Sequence, residues 1–185
     1  MDRGTEQHLL QKARNGDETA LMRLFDEYHL PLFRFAWRLS GRAADAEDMV
    51  QECFLALLAP GSAFDGRRSS LRTYLFGAIR NQAWKRLRRR EASSDELPAM
   101  ADLHSPESET LRAEMEHAVA RAIRRLPEAQ QEVLILAQYE QLPLAEIAEL
   151  LEIELGAVKS RLQRARAALK DALADYAPAG KERQA

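Results

Sequence analysis

The sequence has a single cysteine, Cys53, and few of the residues that make tight turns. One cysteine excludes an intramolecular disulfide and any zinc or iron–sulfur site built on several cysteines, and it is typical of a reducing compartment. With only 8 glycines and 7 prolines among 185 residues, the chain has little room for the many turns of a β sandwich. We therefore expect an all-α protein.

Long apolar runs are also missing. The sequence has no run of about 18 apolar residues that would span a bilayer, and its first ten residues, MDRGTEQHLL, lack the apolar core of a signal peptide. We find no glycine-rich phosphate loop, no pairing of a catalytic histidine with a cysteine and no metal-ligand spacing, and the four histidines are scattered. We expect a cytoplasmic protein that is not an enzyme, inserts in no membrane and uses neither cofactor nor metal.

The charge is small in sum but strongly patterned. With 27 basic and 29 acidic residues the formal net charge is −2. Residues 67–90 hold nine basic and no acidic side chains, and residues 157–170 hold five basic and no acidic ones, whereas acids dominate 91–116 and 128–156. A basic run can be a solvated helix face. Two runs, each at the end of its own helical unit, favour two separate contacts with DNA phosphates.

The acidic stretch marks a domain boundary. Residues 91–110 collect serine, proline and acidic side chains without a helical period. We predict two small helical domains, 1–90 and 111–175, joined by a flexible acidic linker and followed by a disordered tail over 176–185. The second is predicted to be a four-helix domain. At about 3.3 Å per residue, an extended linker of this length reaches roughly 65 Å, so the two domains could contact distant sites on one partner.

The first domain has helical periodicity throughout. Asp17 is suited to cap a helix, and Pro31 to start or kink the segment that ends at Gly41. A helix opening near Asp45 has a buried stripe that includes Cys53. Its second stripe is acidic with one apolar residue and is either plain solvent surface or a docking face: Asp48, Gln51, Glu52 and Leu55.

A long basic helix is predicted from about residue 70 to residue 90, after a loop rich in glycine and serine. Its early part has an apolar side, and another side mixes arginines with Trp84. Aromatic rings among arginines, here Phe64, Tyr74 and Trp84, suit a surface that stacks unpaired bases and attracts phosphates. Aromatic residues at helical spacing also suit a core, which is the stronger expectation for Tyr74.

The stretch 142–170 predicts two short amphipathic helices that meet at a tight turn. A small Ala148 and Val158 ten residues later have the spacing of a helix-turn-helix. With Val158, Leu162 and Ala165 facing inward, the residues that face outward are of the types that contact base edges: Lys159, Ser160, Gln163 and Arg164. Arg161 and Arg166 on the flanks suit phosphate contacts. The alternative is an ordinary helical hairpin with a basic exposed face.

Three segments resemble the extracytoplasmic-function sigma factors, the two-domain promoter-specificity subunits of bacterial RNA polymerase. DAEDMVQECFLALL is similar to the family's core-binding helix, and FDGRRSSLRTYLFGAIRNQAWKRLRRR to its minus-ten recognition and melting region. LAEIAELLEIELGAVKSRLQRAR, preceded by LPEAQQEVL, is similar to the helix-turn-helix that reads the minus-thirty-five element. The resemblance covers roughly residues 7–172.

This resemblance implies partners and residue roles. It implies docking on the polymerase β′ clamp helices through Asp48, Gln51, Glu52 and Leu55. In the minus-ten region it places Asn81 and Arg88 on matching positions, and with the basic and aromatic residues around them we expect recognition and melting by Phe64, Arg80, Asn81, Trp84, Lys85 and Arg88. It places Lys159, Ser160, Gln163 and Arg164 at base-contacting positions of the minus-thirty-five reader, and with the flanking arginines we expect contacts by Lys159, Ser160, Arg161, Gln163, Arg164 and Arg166. The β flap, promoter DNA and an anti-sigma factor are the other partners implied, and the acidic linker would pass through the active-centre and RNA-exit channel.

The sequence departs from the family pattern at several positions. Glu152 and Glu154 stand in the turn of the helix-turn-helix, where the family usually has Gly and Ser. A left-handed backbone at Glu152 would cost on the order of 1 kcal/mol relative to glycine. Other departures are Tyr74 for Trp, Lys85 for an acid and Gln131 for Arg.

Two other function classes would explain parts of the pattern. A one-component regulator would sense a signal with its first domain and bind operator DNA as a dimer, without polymerase. A helical adaptor that binds only protein would leave the second basic helix without a role.

Overall fold

The computed structural model describes residues 1–92 and 111–176, and all regular secondary structure in those ranges is helical, which confirms the predicted all-α class. The chain divides into two compact units. The first is built on α1 (Arg3–Arg14), α2 (Glu18–Ser40), α3 (Ala43–Leu58) and α4 (Leu71–Ala92). In the second part of the chain follow α5 (Leu111–Arg124), α6 (Glu128–Gln138), α7 (Leu144–Leu151), α8 (Leu155–Ala172) and a 3-10 turn, Ala174–Tyr176.

The predicted linker and tail fall almost wholly outside the described residues. Glu91 and Ala92, assigned to the linker, instead extend α4, and Tyr176, assigned to the tail, ends the 3-10 turn. In the described ranges no helix combines the length and the apolar character needed to cross a membrane.

Helix α2 lies at the centre of the first unit and packs against α1, α3 and α4. As predicted, Asp17 caps it, because its Oδ1 accepts a hydrogen bond from the Ala20 amide at 3.0 Å, and Gly41 ends it with φ of 72°. The new helix start allowed by Pro31 does not occur, since α2 continues through it. One buried stripe runs the whole length of α2 and explains this: Leu24, Tyr28, Leu32, Phe35 and Leu39. Packing of that stripe outweighs the lost amide donor.

Helices α3 and α4 pack against each other around Cys53. The thiol is buried and its Sγ donates to the Leu75 carbonyl at 3.9 Å, so the predicted core position is confirmed. Burial raises the pKa of the Cys53 thiol to about 12. Ser70 starts α4, because its Oγ accepts from the Thr73 amide at 3.0 Å.

Helix α1 was not predicted from the sequence. The Asp2 carboxylate caps it by accepting from the amides of Gly4 and Thr5. On its buried side the Tyr28 hydroxyl donates to Glu6. At its end the Arg14 guanidinium donates twice to the Leu57 carbonyl, at 2.9 and 3.2 Å, which satisfies an unpaired acceptor in the last turn of α3.

The second part of the chain contains the predicted helix-turn-helix. Helices α7 and α8 are joined by residues 152–154, and Val158, Leu162 and Ala165 of α8 are buried as predicted. Helix α8 packs mainly on α6 and also contacts α5. Glu152 has φ of 54°, so the turn has a left-handed backbone at this residue even though glycine is replaced.

Candidate nucleic-acid interface

Helix α4 has charged side chains on two opposite faces. At about 100° per residue, Arg86 lies opposite the face that carries Asn81 and Arg88. The face that carries Asn81 and Arg88 opens into a pocket of about 410 Å³. Its lining is cationic, with one amide and one aromatic ring: Arg80, Asn81, Trp84, Lys85, Arg88 and Arg89. We call this site the basic pocket.

The aromatic side chains are placed differently from the sequence prediction. Trp84 lines the basic pocket, but only 6% of its surface is exposed. The expectation of an open ring among the arginines is therefore wrong, because Trp84 packs into the core of the first unit. Phe64 is half-buried against Tyr74, with ring centroids 5.2 Å apart, and is not among the pocket residues. Base stacking by these rings stays a prediction.

Arg89 lines the basic pocket and was not singled out in the sequence. Three consecutive arginines do not by themselves show which of them lies on which face of the helix: Arg88, Arg89 and Arg90. The available signal is helical spacing, since Arg89 follows Lys85 by four residues and shares its side of the helix.

The opposite face of α4 is paired with α3. The Arg86 Nη2 donates to Glu52 Oε1 at 2.7 Å, and its Nη1 lies 3.9 Å from Asp48 Oδ2 and donates to the Asp45 carbonyl at 3.3 Å. Arg90 pairs with the Asp45 carboxylate. Part of the first basic run therefore stabilises the contact between α3 and α4 and does not line the basic pocket.

The acidic stripe of α3 is exposed along its whole length. Its four residues, which we call the docking stripe, are Asp48, Gln51, Glu52 and Leu55. The side chains of Asp48 and Glu52 remain 65% and 58% exposed despite Arg86, and Leu55 is 70% exposed. One exposed apolar side chain is ordinary on a protein surface, so the exposure of Leu55 does not by itself identify an interface. What the docking stripe offers a partner is two exposed carboxylates beside an apolar contact.

Helix α8 presents the outward residues predicted for the helix-turn-helix, which we call the reading face: Lys159, Ser160, Gln163 and Arg164. Lys159 and Gln163 are exposed and one turn apart. The Ser160 hydroxyl donates to the Ala157 carbonyl at 3.0 Å, and Arg164 donates to the Ser160 carbonyl at 3.2 Å and to its hydroxyl at 3.3 Å. The Arg164 guanidinium thus lies back along its own helix.

The two flanking arginines of α8 differ. Arg166 is exposed, as a phosphate contact requires. The Arg161 Nη1 instead lies 3.8 Å from Oε1 of Glu132, a residue of α6 that is only 2% exposed. Arg161 therefore links α8 to α6, and its contact with phosphate stays a prediction.

The turn before α8 is acidic and strained. Glu152 is exposed in the left-handed conformation, and Glu154 is the N-cap of α8 without a side-chain capping hydrogen bond. Their negative charge lies near the positive end of the α8 dipole, which is a favourable position for an acid. In the described ranges no cluster of three or more His, Cys, Asp and Glu side chains is arranged to hold a metal ion.

Two family models match the chain. Sigma-70 region 2 matches residues 24–93, and Sigma-70, region 4, matches residues 116–169. The chain is 31% identical over 181 residues to the RNA polymerase sigma-H factor of Pseudomonas aeruginosa, covering 91% of this chain and 93% of that protein. It is 28% identical over 179 residues to the ECF RNA polymerase sigma factor SigW of Bacillus subtilis, covering 90% and 95%.

Solved structures share the fold. The structure of CnrH in complex with the cytosolic domain of CnrY has a TM-score of 0.69 at 24% identity and covers 94% of this chain and 99% of that one. The sigma factor RpoE of Bartonella quintana, in complex with the anti-sigma factor NepR, has a TM-score of 0.65 at 24% identity and covers 82% and 97%.

Proposed function

Because the chain belongs to the extracytoplasmic-function (ECF) sigma factors of RNA polymerase, we propose that its exposed surfaces divide the work of finding and opening a promoter. As a sigma factor the chain is a DNA-binding transcription initiation factor and not an enzyme; it directs core polymerase to promoters. We assign residues 1–92 to region 2, 93–110 to the linker, 111–176 to region 4 and 177–185 to a tail. Its place of action is the cytoplasm.

The docking stripe is the proposed contact with core polymerase. Two exposed carboxylates beside the exposed Leu55 combine a charged and an apolar contact, which suits a clamp-helix surface on β′. The second unit would bind the β flap, so that polymerase holds both DNA-binding units on one promoter. Two tethered weak contacts then act as one strong contact.

Alanine substitutions test the docking role. Asp48→Ala with Glu52→Ala should weaken binding to purified core polymerase by about tenfold or more, as expected for contact residues at an interface centre. Glu47→Ala is a matched control, because Glu47 is an exposed acid of the same helix that faces His29 at 3.4 Å. Binding measured by fluorescence anisotropy that is unchanged in the double variant would remove the docking assignment.

The basic pocket is the proposed site for the separated minus-ten strand. Four cationic side chains around one pocket, Arg80, Lys85, Arg88 and Arg89, are the observation that carries this assignment. They attract phosphates, and Asn81 supplies an amide that can bond a base edge. The loop 61–70, which contains Phe64, would capture an extruded base. Unpairing costs a few kcal/mol per base, which such contacts can offset without ATP.

The reading face of α8 is proposed to contact the minus-thirty-five element in the major groove. Lys159 can bond guanine and Gln163 adenine, and Arg164 can join them if it leaves Ser160. Arg166 would contact phosphate. Arg161, linked to Glu132, would hold α8 in place and contact DNA only through its remaining donors.

Transcription with purified core polymerase and a promoter library tests the function as a whole. We expect start sites that core polymerase alone does not use, preceded by two shared elements. If the protein adds no start site, or binds one operator as a dimer without polymerase, the assignment fails.

An anti-sigma factor is a further proposed partner. The solved relatives CnrH and RpoE are each in a complex with another protein, in the second case an anti-sigma factor. Such a partner would compete with core polymerase for the docking stripe. A candidate that silences transcription equally when added before or after core polymerase binds would contradict competition at this surface.

A further inference from the structure

The glycines that the structure describes differ in what a side chain would meet. Three have positive φ values, at which a side chain is strained: Gly16, Gly41 and Gly61. A Cβ on Gly66 would lie 2.3 Å from Nε2 of Gln7, and one on Gly4 would lie 3.3 Å from Oδ1 of Asp2, and both atoms are ends of side chains. The backbone therefore favours glycine at three positions, and at Gly4 and Gly66 another side chain of the protein already occupies the space.

Gly77 and Gly156 have no such reason. Gly77 lies inside α4 and Gly156 in the first turn of α8, and neither has a positive φ. Apart from its chain neighbours and the adjacent backbone of its own helix, a Cβ built on either would meet no described atom within 4 Å. Glycine within a helix is less stable than alanine because it loses more backbone entropy on folding. The fold therefore gains nothing from glycine at these two places.

Both glycines lie on the faces that carry the proposed DNA contacts. Gly77 precedes Asn81 by four residues and Arg88 by eleven, so all three lie on one side of α4. Gly156 precedes Ser160 by four residues and Gln163 by seven, so it heads the reading face of α8. The two basic helices thus share a pattern: a glycine with open space above it, followed on the same side by polar contact residues, about one and three turns later in α4 and one and two turns later in α8.

We propose that Gly77 and Gly156 are close-approach points for the DNA sugar–phosphate backbone, Gly77 for the separated strand along α4 and Gly156 for the duplex at α8. A missing side chain lets a deoxyribose or phosphate reach the helix backbone itself. The cations further along each helix would then meet the next phosphates. This inference rests on the proposed function and adds two contact points to it.

A size series at each glycine tests the proposal. Gly77→Ala should raise the melting temperature by about 2 °C and reduce strand opening, followed by permanganate reactivity of the minus-ten bases, by about tenfold. Gly156→Ala should reduce affinity for minus-thirty-five duplex by about fivefold. Leucine is also a good helix former, and at each position it should reduce the measured DNA activity more than alanine does. Gly77 variants should keep near-wild-type affinity for the minus-thirty-five duplex, and Gly156 variants should keep near-wild-type strand opening.

The controls separate the possible outcomes. Ala172→Leu places a leucine at an exposed position at the end of α8, about 160° around the helix from Gly156, and should leave DNA affinity unchanged. Variants that melt higher and keep wild-type DNA activity would overturn the proposal, as would variants that melt lower. If wild-type protein fails to initiate with core polymerase, the proposed function itself fails. If the wild-type protein is active and the Gly77 and Gly156 variants match it in the DNA assays, only the close-approach proposal is disproved.

Discussion

The two basic helices use their cations in different ways. In α4 the arginines are divided between the basic pocket and the α3 side, where Arg86 and Arg90 pair with acids. In α8 only Arg161 is paired with another helix, and Lys159 and Arg166 remain exposed. Helix α4 is held between α2 and α3, whereas α8 leaves a wide face uncovered. A run of basic residues therefore gives the total charge, but helical phase relative to acids on a neighbouring helix determines how much of it can reach DNA.

The largest difference between α4 and α8 should appear on truncating one contact residue of each. Trp84 is 6% exposed, so Trp84→Ala should destabilise the first unit by about 3 kcal/mol or more by leaving a cavity. Gln163 is exposed, so Gln163→Ala should change stability by less than about 0.5 kcal/mol. Urea unfolding followed by circular dichroism measures both. Equal stability in the two variants would show that the Trp84 ring is not part of the core.

Local patterns predicted much of this architecture. The cap at Asp17, the stop at Gly41 and the inward stripe of α8 depend on neighbours within a few residues, and the structure has them as expected. The burial of Trp84 depends on packing of α4 against other helices, which helical spacing alone does not reveal. Helix α1 was missed because its buried apolar residues are few, Leu9 and Leu10, although Asp2 was an available capping signal.

Base discrimination should depend on α8 far more than on α4. Gln163→Ala should reduce the preference for one base pair of the minus-thirty-five element by about 2 kcal/mol, because a bidentate side-chain contact to a base edge is lost. Other positions of the element should keep their preference. Binding to a library of single-base variants, at one fixed salt concentration, measures this. A uniform loss across all positions would mean that Gln163 does not read a base.

The two faces of α4 should respond differently to loss of one arginine. Affinity for DNA falls with increasing salt, and Arg88→Ala should make the slope of log affinity against log salt less steep by about 1, because one phosphate contact is lost. Arg86→Ala should leave that slope unchanged and reduce stability by about 1 kcal/mol, because the links to Glu52 and the Asp45 carbonyl are lost. Salt titrations of promoter binding and urea unfolding measure the two effects. A reduced salt slope in Arg86→Ala would show that this arginine also contacts phosphate.

The smallest expected differences in stability come from the backbone conformations of the turns that precede α3 and α8. Gly41 takes φ of 72° where glycine has no side-chain strain, whereas Glu152 takes φ of 54° with a full side chain. Glu152→Gly should therefore stabilise the helix-turn-helix by somewhat less than about 1 kcal/mol, because the relief of strain is partly offset by the greater entropy of glycine in the unfolded chain. Gly41→Ala should destabilise the first unit by a similar or larger amount. Thermal unfolding of both variants measures these changes in stability. A Glu152→Gly protein that melts below wild type would mean that the Glu152 side chain makes a contact that stabilises the fold by more than the strain destabilises it.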